Sequence, residues 1–271
     1  MGYFQAVFLG AVQGLTEFLP VSSSAHLILA RMFLGWDADR LGLAFDVACH
    51  AGTLLAVIVY FWHDLRAMAR AIRQALNPGV TGPGRLVRLV ALGTVPVVVV
   101  GVLWASAIEE QLRAPGVTVV TLIAGALGFF LADGIGSRTR DEGAVGHGEA
   151  FAIGCAQAAA LVPGVSRSGA TITVGMLFGL RRESAARFSF LLGVPAIFAA
   201  AGHAGLDLVR VGVTADEAGI FVAGMVVSAA VGYVAIASLL RYLSRHSLAV
   251  FAWYRLALAA TVMAWMWAGR G

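Results

Sequence analysis

The sequence has very little charge. Asp, Glu, Lys and Arg make up 13% of its 271 residues, and all 19 of the Lys and Arg positions are arginine. Soluble domains carry about 25% charged residues, so this composition excludes a soluble enzyme and a disordered chain. The net charge of +4 is too small to indicate nucleic acid as a partner. Hydrophobic residues make up 59% of the chain and the mean hydropathy is +0.85, which predicts an integral membrane protein.

Cysteine is also scarce. Cys49 and Cys155 lie in apolar segments without the spacing of a metal or redox motif, which excludes a disulfide scaffold. We expect both to be small core residues. Glycine, by contrast, is abundant at 33 residues, as is typical of helices that pack closely within a membrane.

Long apolar stretches predict six transmembrane helices, because crossing a bilayer takes about 20 apolar residues. Two further apolar regions, 3–34 and 150–180, are interrupted near the middle. Each arm is too short to span, so each region predicts a re-entrant helical hairpin. The expected fold is an all-α polytopic membrane protein with one membrane domain over residues 1–271. The predicted spans are residues 43–62, 89–107, 117–135, 188–206, 218–240 and 248–268.

The two interrupted regions resemble each other at an offset of 144 residues. Identical residues surround both breaks, and they include the pairs Ser22 with Ser166 and Ser24 with Ser168. Each hairpin is followed by three spans, an odd number that inverts the second half relative to the first. This pattern predicts an inverted-topology repeat with halves of about 1–143 and 144–271, and a site near the midplane between them.

The positions of the arginines predict the orientation of the chain in the membrane. If the first hairpin opens outward, the inner loops 63–88, 136–149, 181–187 and 241–247 hold twelve arginines and the outer segments hold five. Both termini are then expected on the outer side. The outer arginines are Arg31, Arg40, Arg113, Arg210 and Arg270.

Arg167 lies inside the second interrupted region, where a charge costs about 2.5 to 3.5 kcal/mol. Pro163 and Gly164 break the first half-helix, and the next half-helix is expected to begin near Ser168 with unpaired N–H groups. Free amides, the positive end of a helix dipole and a guanidinium together indicate an anion site suited to phosphate. The alternative is an ordinary N-cap in which Arg167 pairs with a structural carboxylate.

The first hairpin carries residues suited to nucleophilic or acid–base chemistry. Gln13 and Glu17 share one helical face, and Glu17 lies near the C-terminal end of its half-helix, where it needs a proton, a cation or Arg167. Glutamate, serine and histidine at one buried point can supply a metal ligand, a nucleophile and a general acid or base. The alternative is a capping serine cluster beside a hydrogen-bonded core histidine. The break contains Ser22, Ser23, Ser24 and His26.

Other polar residues have smaller expected roles. Asp46 and His50 share a helical face, and either a position beside the site or a structural pair would account for them. Three charged residues near span ends, Asp133, Glu149 and Arg255, are expected to reach the membrane interface by snorkelling.

Two motifs resemble the signatures of bacterial undecaprenyl-diphosphate phosphatases, also called bacitracin-resistance proteins. The first consists of Gln13 and Glu17 followed by FLPVSSSAH at 18–26, and the second is PGVSRSGAT at 163–171. The likeness extends over the whole chain in length, span pattern and motif spacing. The chain departs from the family pattern at Gln13, where many members have Glu, and at Ala25, where Gly is common.

The resemblance implies hydrolysis of undecaprenyl diphosphate to undecaprenyl phosphate and inorganic phosphate. This reaction recycles the lipid carrier of peptidoglycan synthesis, with bacitracin resistance as a consequence. It also implies a divalent cation, Mg²⁺ or Ca²⁺, and a multi-pass protein of the bacterial cytoplasmic membrane whose site faces the periplasm or outer leaflet. The expected partners are undecaprenyl diphosphate and membrane lipid, and the oligomeric state is left open, a homodimer included.

By the same resemblance, Glu17 is the acidic catalytic or metal-linked residue, His26 the catalytic histidine and Arg167 the phosphate clamp. Ser22 or Ser23 is the hydroxyl near the reacting phosphorus, and a serine, His26 or an activated water could each be the nucleophile. The expected substrate-binding residues are Gln13, Ser24, Ser166, Ser168, Gly169 and Thr171.

A function of another class is a polyprenyl-phosphate flippase or anion transporter, because inverted repeats with broken helices are a transporter architecture. Glu17, His26 and the serines beside the anion site favour the enzyme, since anion binding alone does not need them.

Overall fold

The computed structural model describes residues 1–36, 42–112, 114–211 and 214–269, and the secondary-structure elements of this part of the chain are all helices. Arg40, Arg113 and Arg270 lie outside the described residues, as does the side chain of Arg210. The α-helices are α1 (Tyr3–Phe18), α2 (Ser23–Leu34), α3 (Gly42–Tyr60), α4 (Trp62–Arg70), α5 (Gly82–Leu112), α6 (Pro115–Ile135), α7 (His147–Ala159), α8 (Arg167–Leu177), α9 (Arg182–Val211), α10 (Ala215–Leu243) and α11 (Ala249–Ala268). Short 3₁₀ helices lie at Ile72–Leu76 and Glu142–Ala144.

The long apolar helices match the predicted spans. Five of the described helices, α5, α6, α9, α10 and α11, are long and apolar enough to cross a membrane. The remaining predicted span is α3, which meets the same criterion together with α4 as a pair bent by 78°. Each predicted span therefore corresponds to a helix, and the chain is a multi-pass, all-α membrane protein.

Two pairs of shorter helices form the predicted hairpins, with α1 packed against α2 and α7 against α8. The residue before the second helix of each pair is a serine with a positive φ, 74° at Ser22 and 71° at Ser166, a conformation that non-glycine residues rarely adopt. Each serine Oγ lies 3.3 Å from the hydroxyl of the serine two residues later. This shared conformation supports an internal repeat, while the division at 143/144 and the single domain stay predictions.

Glycines bring both hairpins into close contact with long helices. A Cβ atom at Gly10 of α1 would lie 2.6 Å from the carbonyl oxygen of Gly224 in α10. A Cβ atom at Gly154 of α7 would lie 2.2 Å from the carbonyl oxygen of Gly93 in α5. Only glycine permits so close an approach of two backbones. Each hairpin thus packs tightly against a long helix on one face, and residues of both breaks, Pro20 to Ser22 and Gly164 with Ser166, are buried.

The four predicted inner loops lie together at one end of the molecule. Residues from all four line one cavity of about 790 Å³, which Arg85, Arg138, Arg181, Arg182 and Arg187 surround. Ion pairs connect these loops to one another and to α4, including Arg187 with Asp64 at 3.3 Å. The Arg181 guanidinium, which donates to the exposed Asp141, lowers the pKa of that carboxyl below its usual value.

Three side-chain predictions for the helix ends and core are wrong. Asp133 does not simply snorkel, because it pairs with Arg182 at 2.6 Å and accepts the Leu248 N–H at 2.7 Å. Glu149 likewise pairs with Arg140 at 2.8 Å. Cys49 is buried as expected, but Cys155 is exposed on α7, because helical periodicity places it on the outer face of that short helix.

Candidate active site

The two breaks meet at an ion pair between Glu17 and Arg167. Arg167 Nη2 donates to Glu17 Oε1 at 3.2 Å, and the two side chains are only 15% and 7% exposed. Ser168 Oγ of the second break also donates to the Leu19 carbonyl of the first, at 3.2 Å. Of the three partners that Glu17 could need, the structure therefore provides Arg167, and the two halves of the chain contribute to one site.

Glu17 is the centre of a polar cluster at the end of α1. Its Oε2 accepts hydrogen bonds from Gln13 Nε2 at 3.0 Å and from Ser23 Oγ at 2.8 Å. His50 of α3 joins the cluster, since its Nδ1 lies 2.9 Å from Gln13 Nε2 and 3.7 Å from Glu17 Oε2. An amide nitrogen can only donate, so Nδ1 of His50 accepts from Gln13.

The shared face of Asp46 and His50 serves two purposes. Asp46 pairs with Arg31 of α2 at 2.5 Å, which is a structural contact between α2 and α3. Only His50, one turn further along α3, reaches the cluster around Glu17. The spacing of four residues correctly placed both on one side of the helix but could not separate their roles.

The second break forms a capped helix start. Ser166 caps α8 by accepting the Gly169 N–H at 3.2 Å, which makes Arg167 the first helical residue. A Cβ at Gly169 would lie 3.0 Å from Phe129 Cζ, so glycine fits there without displacing the Phe129 ring. Thr171 is buried inside the first turns, where its Oγ1 donates to the Arg167 carbonyl at 2.8 Å and lies 2.5 Å from Ser189 Oγ.

One nitrogen of Arg167 is not accounted for by the N-cap and the ion pair. Nη1 is buried and has no hydrogen-bond partner among the described residues, although buried polar groups nearly always have one. Gly193 of α9 makes room for it, because a Cβ there would lie 1.7 Å from Nη1. The structure therefore contains an N-cap, an ion pair and, in addition, a buried guanidinium nitrogen without a hydrogen-bond partner.

His26 lies apart from the Glu17 cluster. Its Nδ1 is 2.7 Å from the Ser22 carbonyl, and because a carbonyl can only accept, Nδ1 carries the proton. Its Nε2 is 2.6 Å from the hydroxyl of Tyr254 in α11, and the two rings stack with centroids 5.6 Å apart. The sequence predicted that a glutamate, a serine and a histidine come together at one point. Ser23 contacts Glu17 as predicted, whereas His26 contacts the Ser22 carbonyl and Tyr254 instead.

The remaining predicted contacts of the diphosphate lie along the two breaks. Ser22 is buried, and Ser24 is exposed within hydrogen-bonding distance of it. Ser166 and Ser168 occupy the equivalent positions of the second break and are both buried. The structure therefore brings most predicted residues to one junction, and their individual roles stay predictions.

The prediction that charged residues near span ends snorkel to the membrane interface, wrong for Asp133 and Glu149, is also wrong for Arg255. The side chain is fully buried and donates to carbonyls of both breaks, including Pro20 at 3.4 Å and Val165 at 3.1 Å. Sequence reasoning also missed Tyr254 beside it. An arginine inside an apolar helix was itself a signal, since such residues mark functional positions more often than not.

The site offers few protein ligands for a divalent cation. Among the residues that the structure describes, no group of three or more His, Cys, Asp or Glu side chains could hold a metal ion. Glu17 supplies one carboxylate, and Gln13 Oε1 is buried without a partner. One carboxylate and one amide oxygen fit a cation such as Mg²⁺ that is held mainly by phosphate and water oxygens.

Comparison with known proteins gives a consistent result. The family described as bacitracin resistance protein BacA matches residues 6–261. A protein of Rubrobacter xylanophilus named undecaprenyl-diphosphatase is 53% identical over 264 residues, covering 96% of this chain and 97% of that protein. One of Alcanivorax borkumensis with the same name is 45% identical over 268 residues, covering 98% of this chain and all of the relative. Undecaprenyl-diphosphatase 2 of Stutzerimonas stutzeri is 45% identical over 267 residues, covering 97% of this chain and 98% of that protein. The chain therefore belongs to the bacitracin resistance protein BacA family.

Proposed function

We propose that this chain is a hydrolase of a phosphorus anhydride, which converts undecaprenyl diphosphate to undecaprenyl phosphate and inorganic phosphate. The observation that carries the proposal is the buried, unpartnered Nη1 of Arg167 beside Glu17 at the junction of the two breaks. Membership of the family supports the substrate, since the relatives above are named undecaprenyl-diphosphatase. Those names do not favour the alternative of a flippase or anion transporter.

The first step of the proposed mechanism is binding of the diphosphate at the start of α8. A phosphate oxygen would accept from Arg167 Nη1, and the positive end of the α8 dipole would stabilise its charge. A bound Mg²⁺ or Ca²⁺ would neutralise further phosphate charge. The Glu17 carboxylate and Gln13 Oε1 would be its protein ligands. The side chains of Arg167 and Glu17 are only 15% and 7% exposed, and this shielding strengthens these interactions, because charges attract more strongly where water is excluded.

The geometry favours Ser23 as the nucleophile. Its Oγ already donates to Glu17 Oε2 at 2.8 Å, so Glu17 can take the proton as Oγ bonds to the terminal phosphorus. The anhydride P–O bond then breaks, and the bridging oxygen leaves with undecaprenyl phosphate. A water molecule cleaves the phosphoserine and releases inorganic phosphate. His26, which faces Tyr254 instead of Glu17, is then free to exchange a proton with the leaving group or with this water.

We further propose that the site opens to the outer leaflet and periplasm of the bacterial cytoplasmic membrane. The arginine-rich loops lie together at the other end, where positive charge favours the cytoplasm. Three aromatic rings connect the two regions: Phe18, which follows Glu17 in the chain, has its centroid 5.5 Å from that of Phe190. The Phe61 centroid lies 6.3 Å from that of Phe190 and 5.4 Å from Cζ of Arg187 in the inner loops. The prenyl chain would extend sideways between helices into the membrane lipid.

Phosphate release from a short-chain prenyl diphosphate by the purified protein in detergent tests the function. We expect hydrolysis that requires Mg²⁺ or Ca²⁺ and stops on addition of a chelator. Absence of hydrolysis under all cation conditions, with transfer of prenyl phosphate across proteoliposomes instead, would favour the transporter.

We expect Tyr254→Phe to lower kcat by about 3- to 10-fold, because it removes one hydrogen bond to His26 and retains the stacked ring. Tyr233→Phe is the matched control, since Tyr233 and Tyr254 are both 44% exposed and Tyr233 contacts Tyr60 instead of the site. The measurement is kcat for the two variants and for Tyr254→Phe combined with His26→Ala. If His26 and Tyr254 act together, the double variant is no slower than His26→Ala, whereas independent effects would multiply.

A further inference from the structure

Arg255 of α11 has an unusual set of hydrogen bonds. Its side chain is fully buried, and it forms no ion pair within the described part of the chain. A guanidinium has five N–H donors, and here they meet five main-chain carbonyls. Nε donates to Leu122 at 3.1 Å, Nη1 to Val165 at 3.1 Å and Pro20 at 3.4 Å, and Nη2 to Thr121 and Gly164 at 2.9 Å each.

These five carbonyls belong to three separate segments. Pro20 lies in the break after α1, Gly164 and Val165 lie in the break after α7, and Thr121 and Leu122 lie within α6. A broken helix leaves carbonyls without intrahelical partners, and such groups are costly to bury in an apolar environment. One arginine therefore satisfies carbonyls in both breaks at once, and the rigid helix α6 provides the common support.

The position of Arg255 connects it to the site without direct contact. Pro20 is three residues from Glu17 and from Ser23, and Val165 is two residues from Arg167. Fixing both carbonyls therefore restrains the backbone that carries Glu17 and the backbone that carries Arg167 relative to each other. The guanidinium also packs over the Phe129 ring in a cation–π contact, with Arg255 Cζ 5.3 Å from the ring centroid.

We propose that Arg255 is a positioning residue for the hydrolysis, because it ties the two breaks to α6 at the spacing that the reaction needs. This inference rests on the proposed function. Arg255 itself does not touch the diphosphate; it acts through the backbone that carries Glu17, Ser23 and Arg167. A displacement of about 1 Å between reacting groups can reduce a rate by roughly 10²-fold.

Gly125 of α6 offers a way to displace Arg255 without replacing it. A Cβ at Gly125 would lie 2.2 Å from Arg255 Nη2, so Gly125→Ala forces the guanidinium away from its carbonyls. Gly128, on the next turn of α6, is the matched control, because a Cβ there meets only Thr173 Cγ2 at 3.5 Å, an ordinary contact. Both changes replace a helical glycine with alanine and affect helix propensity alike.

We expect Gly125→Ala to lower kcat for phosphate release by roughly 10²-fold and Gly128→Ala to keep the wild-type kcat. Arg255→Lys, which retains the charge but offers three donors, should resemble Gly125→Ala. Rates are measured per folded molecule, so a merely structural role would reduce the yield and leave kcat unchanged. Gly125→Ala keeps every donor of Arg255, and the test therefore does not depend on the folding of Arg255→Lys.

Hydrogen–deuterium exchange of the two breaks supplies a readout that is independent of activity. We expect faster exchange in peptides covering 19–25 and 161–168 in Gly125→Ala, and no change in Gly128→Ala. Equal kcat in the two alanine variants, or a slow Gly125→Ala with both breaks unchanged, would overturn the proposal. If the wild type releases no phosphate, the proposed function fails, while the exchange data still decide whether Arg255 holds the breaks together.

Discussion

Replacing Arg167 with alanine should lower kcat/KM for phosphate release by on the order of 10³-fold, the loss typical when an arginine that stabilises a transferring phosphoryl group is removed. Arg167 is the only described guanidinium that contacts Glu17, and its Nη1 is buried without a partner. Without it, the start of α8 keeps its dipole and its Ser166 cap but loses the charged donors. The measurement is steady-state phosphate release by purified protein in detergent.

Arg31→Ala provides a matched control for this result. Arg31 pairs with Asp46 at 2.5 Å, and its side chain is 12% exposed, close to the 15% of Arg167. Both changes break an ion pair of similar burial, so both should lower thermal stability. Only Arg167→Ala should abolish turnover in the folded fraction. Near-normal kcat/KM in Arg167→Ala, or an equal loss in Arg31→Ala, would contradict the role of Arg167.

Arg167→Lys sharpens the same prediction. A lysine keeps the positive charge but offers a compact ammonium in place of a planar fork, so it cannot donate to Glu17 and to a phosphate oxygen at once in the same geometry. We expect activity between that of alanine and that of the wild type. Full activity with lysine would mean that charge alone, without the second nitrogen Nη1, is sufficient.

The second large effect is expected for Glu17→Gln, which preserves the shape of the side chain and removes its charge. Loss of a general base reduces rates by about 10²- to 10⁴-fold, and we expect a decrease of this size. The variant should also be less stable, because Arg167 is left buried without its carboxylate, a change that costs about 3 to 5 kcal/mol. Phosphate release and thermal unfolding in detergent measure the two effects separately.

A double variant separates catalysis from stability. Combining Glu17→Gln with Arg167→Met removes both charges, and apolar replacement of a whole buried ion pair is often neutral or stabilising. We expect the double variant to regain the stability lost in Glu17→Gln while remaining inactive. Turnover that returned together with stability would indicate that the ion pair serves folding and that the chemistry lies elsewhere.

Much of the architecture was predictable from short-range patterns. Each predicted span corresponds to a helix, because an uninterrupted apolar stretch of sufficient length has few alternatives in a bilayer. The breaks were predictable from Pro20 and Pro163, which end helices, and from the serines that follow. The equivalence of Ser22 and Ser166, seen as a repeat in the sequence, reappears as the same positive φ in the structure.

The partners of the polar residues were much harder to predict. Helical spacing identified the face that carries Asp46 and His50. Only the packing of the helices determines that Asp46 pairs with Arg31 and that His50 contacts Gln13. Tyr254 lies 228 residues from His26 along the chain, and no local pattern connects them. For the same reason, the sequence could not show that His26 pairs with Tyr254 instead of joining the Glu17 cluster.

Local hydropathy, Arg distribution and motif spacing are thus sufficient for the membrane class, the positions of the helices and the two breaks, because those features depend on neighbours in the sequence. Tertiary packing alone decides that Glu17 pairs with Arg167 and that Arg255 joins both breaks instead of reaching the membrane surface. Inside a membrane, water cannot satisfy a charge or a free carbonyl, so each must find its partner within the protein. Which partner it finds depends on how distant helices are brought together.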